Sequence, residues 1–137
     1  MNGTVPVRGT DDDLSLHFAA DAQQVAPARH AVAARARDAG LPDALVDTIA
    51  LAVSEAITNA VVHGYAGREA GRIEVTAGLR DSGFVITVAD DGSGMLPRPD
   101  SPGLGLGLPI IAQLAASLDV RSDPEHGGTT VTMTFTL

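Results

Sequence analysis

Apolar and polar residues alternate along four stretches of the 137-residue chain and follow helical spacing along three others. Alternation of period two marks a strand with one buried face, whereas repeats of three and four mark an amphipathic helix. "LSLHF" (14–18) is a short alternating strand. "RIEVTAGL" (72–79) places Ile73, Val75, Ala77 and Leu79 on one face, and "FVITVAD" (84–90) places Phe84, Ile86, Val88 and Asp90 on one face. The intervening "DSG" (81–83) is turn chemistry, which predicts a hairpin. In the closing "TTVTMTFTL", Thr129, Val131, Met133, Phe135 and Leu137 share one face, and Thr130, Thr132, Thr134 and Thr136 share the other.

Three segments read as helices. The first runs from Asp21 to about Gly40, a glycine stop, and its regular part begins near Ala26 because Pro27 suits a first turn. The second begins near Pro42 and ends at the His63-Gly64 pair. The third is "LGLPIIAQLAASL", which follows a Gly- and Pro-rich loop over 91–105 and leads into a short strand around 118–122. The order is therefore strand, two helices, hairpin, helix, two strands. Helices segregated from a mixed, mainly antiparallel sheet and covering one of its faces give an α+β two-layer α/β sandwich. Residues 1–13, with Gly, Pro and three consecutive Asp, read as a flexible leader, and 14–137 as a single domain.

Composition narrows the function classes. Without cysteine there is neither disulfide nor thiolate metal site. A formal charge of −8 with no run of Lys or Arg argues against nucleic acid and anionic membranes as partners. No apolar run approaches the ~20 residues that span a bilayer. The leader has neither the basic patch nor the apolar core of a signal peptide, so a cytoplasmic protein is expected. One Tyr, three Phe and no Trp leave few aromatic stacking surfaces.

Chemistry concentrates in four places. In "AVSEAITNAVVHG" (52–64), Glu55, Asn59 and His63 recur every four residues, so they lie near one face of the second helix. That helix alone fits either a solvated stripe or a row of catalytic and metal-binding groups. Strand parity puts Asp90 on the inward face, and a buried lone carboxylate is costly without a partner. "DDGSGM" follows at once with Gly92 and Gly94, where backbone can approach a ligand closely. "GLGLGL" (103–108) then leads into a helix, where backbone N–H groups and the helix dipole attract an anion. This is neither a P-loop nor a dinucleotide fingerprint.

Taken in order, Glu55-x3-Asn59-x3-His63, Asp90-Asp-Gly-Ser-Gly94, Gly103-Leu-Gly-Leu-Gly-Leu108 and Gly128-Thr129 resemble the GHKL ATPase superfamily of gyrase B, heat-shock chaperone ATPases, histidine kinases and MutL. The resemblance covers residues 14–137 and implies a Bergerat-type ATP site between helices and sheet. It implies that Asn59 coordinates Mg²⁺, that Asp90 accepts from the adenine amino group with help from Thr129, and that Gly92 and Gly94 line that pocket. Gly103, Leu104, Gly105, Leu106, Gly107 and Leu108 would wrap the phosphates, and Glu55 would be the general base. His63, one turn beyond Asn59, stands at the same site, with a capping or structural role as the alternative to phosphate contact.

Within that superfamily a bare module with a short Pro-rich lid resembles the anti-sigma-factor serine/threonine kinases of partner-switching systems (RsbW-type). "SEAITNAVVHGY" and "GLGLPII" are typical of that group. Arg98 is the basic residue of this lid that could meet the γ-phosphate. The resemblance implies ATP-dependent phosphorylation of a small STAS-domain antagonist, competition between that antagonist and a sigma factor, and a homodimer. Two other readings stay open: an ATP-binding module that sequesters a partner without phosphotransfer, and a switch kinase whose target is not a sigma factor.

Overall fold

The computed structural model describes residues 13–63, 71–91, 107–122 and 128–137. In chain order these form β1 (Leu14–Ala19), α1 (Val25–Asp38), α2 (Asp43–His63), β2 (Arg72–Arg80), β3 (Gly83–Asp90), α3 (Gly107–Leu114), β4 (Ser117–Ser122) and β5 (Thr129–Phe135). The five strands make one sheet in the order β1-β2-β3-β5-β4. Every pairing is antiparallel, so the expected mixed sheet is antiparallel throughout the described strands.

Registers align the inward residues in rows across the sheet. One row is Leu14–Ala77–Ile86–Met133–Leu118, and the next is Leu16–Val75–Val88–Val131–Val120. Their central members are sealed, with Val75, Ile86, Val88, Val131 and Met133 all at 0% exposure. Against them α2 lays Ile49, Val53, Ala56, Ile57 and Ala60, also fully buried. α1 adds Ala28, Val32 and Ala36, and α3 adds Ile111. The opposite face carries Ser15–Thr76–Thr87–Thr132–Asp119.

Local chemistry sets the helix ends. Asp21 Oδ1 accepts from Gln23 N at 2.9 Å and caps a short 3₁₀ turn over Ala22–Gln24, so α1 proper starts at Val25. Pro27 falls in the first turn, where its missing N–H has no intrahelical partner to lose. Gly40, at φ 88°, ends α1: Gly40 N donates to Arg37 O at 2.9 Å and Leu41 N to Ala36 O at 3.2 Å. That pair of bonds is the Schellman arrangement, for which a left-handed glycine is favoured. Asp43–Val62 has a mean hydropathy of 1.6, apolar enough by length and composition to cross a bilayer, contrary to the sequence expectation. In the fold its apolar side is core.

Two boundaries move. The third helix stops at Leu114 instead of running on to Leu118, because Ala116 N donates to Thr134 O at 2.8 Å and residues 117–122 join the β5 ladder. Residues 115–118 are apolar or small and fit either period, and cross-strand pairing decides. Leu137, expected on the inward face, is 73% exposed because β5 ends at Phe135. Asp13, assigned to the leader, is held instead: Arg80 donates to it through Nη1 at 3.0 Å and Nη2 at 2.6 Å.

Candidate functional site

The inward face changes character in its last row. One step beyond the valine row lies Phe18–Ile73–Asp90–Thr129–Ser122, apolar on β1 and β2 and polar on β3, β5 and β4. The expected parity of Asp90 and Thr129 is therefore observed, and the two are direct cross-strand partners. Asp90 is 8% exposed and Thr129 is 2% exposed. Ser122 continues the row, its Oγ 3.2 Å from Thr129 Oγ1.

Two features hold this row in place. Asp91 Oδ1 accepts from Arg72 N at 3.0 Å, tying the chain leaving β3 to the start of β2. On the other side, Gly128 adopts φ 93°, and a Cβ there would stand 2.6 Å from Asp90 O. Only glycine allows both that conformation and that approach.

The helical side of the site comes from α2, which packs on β3. Asn59 is 6% exposed, and its Nδ2 has no hydrogen-bond partner among the described residues. Glu55, one turn earlier, is half-buried. A step of four residues turns about 40° around a helix, so the stripe drifts from the solvent edge at Glu55 towards the core at Asn59. Beside it, Arg29 Nη1 of α1 donates to Ser54 Oγ at 3.5 Å. The end of α2 leads through residues 64–71 to Arg72, and its neighbour Ile73 is the cross-strand partner of Asp90.

Chemically, the row offers a carboxylate acceptor beside two hydroxyls that can donate or accept, at the rim of an apolar layer. That suits the amino edge of a flat apolar ring. Among the described residues, no three His, Cys, Asp or Glu side chains gather as a metal site. A metal here therefore needs ligand oxygens besides Asn59, as Mg²⁺ takes from phosphates and water. The amide oxygen of Asn59 is a hard ligand of the kind Mg²⁺ takes, and its unpartnered Nδ2 suits an acceptor such as a phosphate oxygen.

Other sequence candidates stand elsewhere in the description. His63 is the last residue of α2, and Gly107 and Leu108 open α3. Gly92, Gly94, Arg98, Gly103, Leu104, Gly105 and Leu106 lie outside the described residues. Sequence reasoning missed Ser122, although Leu118, Val120 and Ser122 share the parity that could have found it. It also gave no role to Gly128, whose positive φ no pattern reveals.

Known proteins share this chain's sequence and fold. An anti-sigma F factor of Oceanobacillus iheyensis is 31% identical over 134 residues, covering 90% of this chain and 91% of its own. One from Clostridium beijerinckii is 29% identical over 129 residues, covering 86% and 90%. Among solved structures, the RsbU and RsbW domains of Rv1364c from Mycobacterium tuberculosis superpose with a TM-score of 0.69 at 27% identity, over 90% of this chain and 32% of that longer one. The SiaB–SiaC complex from Pseudomonas aeruginosa shares the fold at a TM-score of 0.61 and 14% identity, over 88% of each chain. The model of the histidine kinase-like ATPase domain matches residues 18–135, and the chain belongs to that family.

Proposed function

We propose that this chain is an ATP-dependent serine/threonine protein kinase of a partner-switching system, which phosphorylates a small STAS-domain antagonist and otherwise holds a sigma factor. The observation that carries the reading is a coincidence of burial and chemistry. Among the described residues, the buried polar or charged ones are Asn59, Asp90 and Thr129. These are the residues that the sequence motifs single out for nucleotide and metal. Asp90 and Thr129 are paired across β3 and β5 at the last inward row, and Asn59 is buried on α2 with an Nδ2 that has no hydrogen-bond partner among the described residues.

In the proposed mechanism Asp90 accepts a hydrogen bond from the exocyclic amine of adenine, and Thr129 steadies that carboxylate while contributing its own hydroxyl. Asn59 would hold Mg²⁺ through its amide oxygen; when bound, that ion neutralises charge building on the transferring phosphoryl group. Glu55 accepts the proton of the partner's serine or threonine hydroxyl. As that oxygen bonds to the γ-phosphorus, the bond from γ-phosphorus to the β–γ bridging oxygen breaks, and ADP leaves. The glycines of 103–107 would wrap the phosphates, Arg98 would meet the γ-phosphoryl group, and the kinase would act as a homodimer in the cytoplasm.

The test is transfer of radiolabelled γ-phosphate from Mg-ATP to the STAS-domain proteins of the same genome. Label on one of them, lost in Glu55→Ala while ATP binding persists, supports the kinase. Asn59→Ala should abolish Mg-dependent nucleotide binding in calorimetry. ATP binding without label on any STAS protein would leave a sequestering module, and an Asn59→Ala chain of normal Mg-ATP affinity would overturn the metal assignment.

A further inference from the structure

Leu51, Val62 and Leu137 are the exposed large apolar side chains among the described residues, at 47%, 54% and 73% exposure. Leu137 lies beyond the β5 ladder. The other two sit on α2, four residues before and seven residues after Glu55. At about 100° per residue, Leu51 lies about 40° and Val62 about 20° to one side of Glu55, whereas Asn59 lies about 40° to the other. Glu55 thus stands on the line between the side of α2 that turns towards the buried polar row and a side that shows solvent two isolated large apolar groups.

We propose that Leu51 and Val62 form the docking surface for the protein that Glu55 serves. This inference rests on the kinase reading above. A hydroxyl within hydrogen-bond reach of Glu55 brings its own protein's surface with it. A specific interface covers roughly 800 Å² on each partner, a patch roughly 16 Å in radius. Leu51 and Val62 are about 6 Å and about 10 Å from Glu55 along the helix axis, so any such partner covers both. Their burial then supplies affinity beside the reacting hydroxyl. Charge narrows the occupant. α2 carries Asp43, Asp47 and Glu55 with no Lys or Arg, and Asp43 and Asp47 are exposed. The face therefore fits a folded partner whose phosphoacceptor hydroxyl is flanked by apolar side chains, with a basic group towards Asp47. Position 51 and position 62 are the determinants of which hydroxyl-bearing protein is accepted.

The experiment uses the full chain and the STAS-domain protein that accepts label from it. Leu51→Ser combined with Val62→Ser should raise the Kd for that protein in its unphosphorylated form at least tenfold. ATP affinity and melting temperature should stay at wild-type values, and Leu51→Met should restore most of the binding. Leu137→Ser, which removes a more exposed apolar group elsewhere, should change nothing. A double variant that binds the STAS protein within twofold of wild type overturns the proposal while leaving the kinase reading intact. Lost ATP affinity would give the face to the nucleotide, and a change in oligomeric state by light scattering would give it to a second copy; either overturns the proposal. If the wild-type chain binds and labels no STAS-domain protein, the kinase reading itself fails and the docking surface falls with it.

Discussion

Two neighbouring rows of one sheet face differ in almost nothing but chemistry. Leu16–Val75–Val88–Val131–Val120 and Phe18–Ile73–Asp90–Thr129–Ser122 use the same five strands, the same parity and the same antiparallel ladders. The first is sealed by helices and holds the layers together. The second is the last row before the chain leaves β3, where a polar side chain can be buried and still be reached. The comparison teaches that a site on this fold needs no separate architecture. It needs the final turn of an alternating pattern to switch from β-branched apolar to polar.

Exchanging chemistry between the rows is the strongest way to break the comparison. Val88→Asp puts an unpaired carboxylate into the sealed row and should cost ~4 kcal/mol or more, a large part of a domain's ~5–15 kcal/mol. Circular dichroism should show no cooperative unfolding transition. The reverse exchange, Asp90→Val, should leave the melting temperature within ~4 °C of wild type. Loss of a charge-assisted hydrogen bond should weaken ATP binding about 100-fold in calorimetry. If Val88→Asp folds normally, or Asp90→Val binds ATP normally, the two rows are not the different environments claimed here.

A smaller effect sharpens the second row. Thr129→Val keeps shape and removes the hydroxyl, and the loss of one neutral hydrogen bond should weaken ATP about three- to tenfold. The smallest concerns polar groups far from that row. Arg80's hydrogen bond, with its charge, holds the Asp13 carboxyl below the usual carboxylate value. A lowered native pKa means that the pair stabilises above the ordinary carboxylate range and that this is lost as pH falls through the lowered value. Asp13→Asn should therefore cost less than ~1 kcal/mol in urea melts at pH 7, and the difference should shrink as pH falls below the ordinary carboxylate range. A difference persisting in acid would show that packing of Asp13 over Gly78, not charge, anchors β1.

Period-two alternation located β2, β3 and β5 within a residue or two and put Asp90 and Thr129 inward, because a strand buried on one face has no other register that hides Ile86, Val88 and Val131. The same logic failed at Ala115–Leu118, where small and apolar residues satisfy helix and strand alike and only a partner strand decides. Asp13 was beyond reach for a related reason: its partner Arg80 is 67 residues away and its seat is the bare backbone of Gly78. Leu51 and Val62 were legible as α2 residues but not as exposed ones, since a helix apolar on most sides gives no sign of which side stays uncovered. The site roles of Asn59 and Glu55 came from the motif, and burial then separated the two.

The strand order carries a consequence for how this chain is made. β5, the latest strand, lies inside the sheet between β3 and β4, and it brings Thr129 with it. During synthesis, which presents a chain from its N-terminus onward, β1 to β4 emerge with a gap between β3 and β4. Neither the hydrophobic layer nor the polar row of Asp90, Thr129 and Ser122 can close until Thr129–Phe135 has been delivered. A chain stalled before that point lacks the core and the ligand site together, so no partly made copy can compete with finished ones for nucleotide.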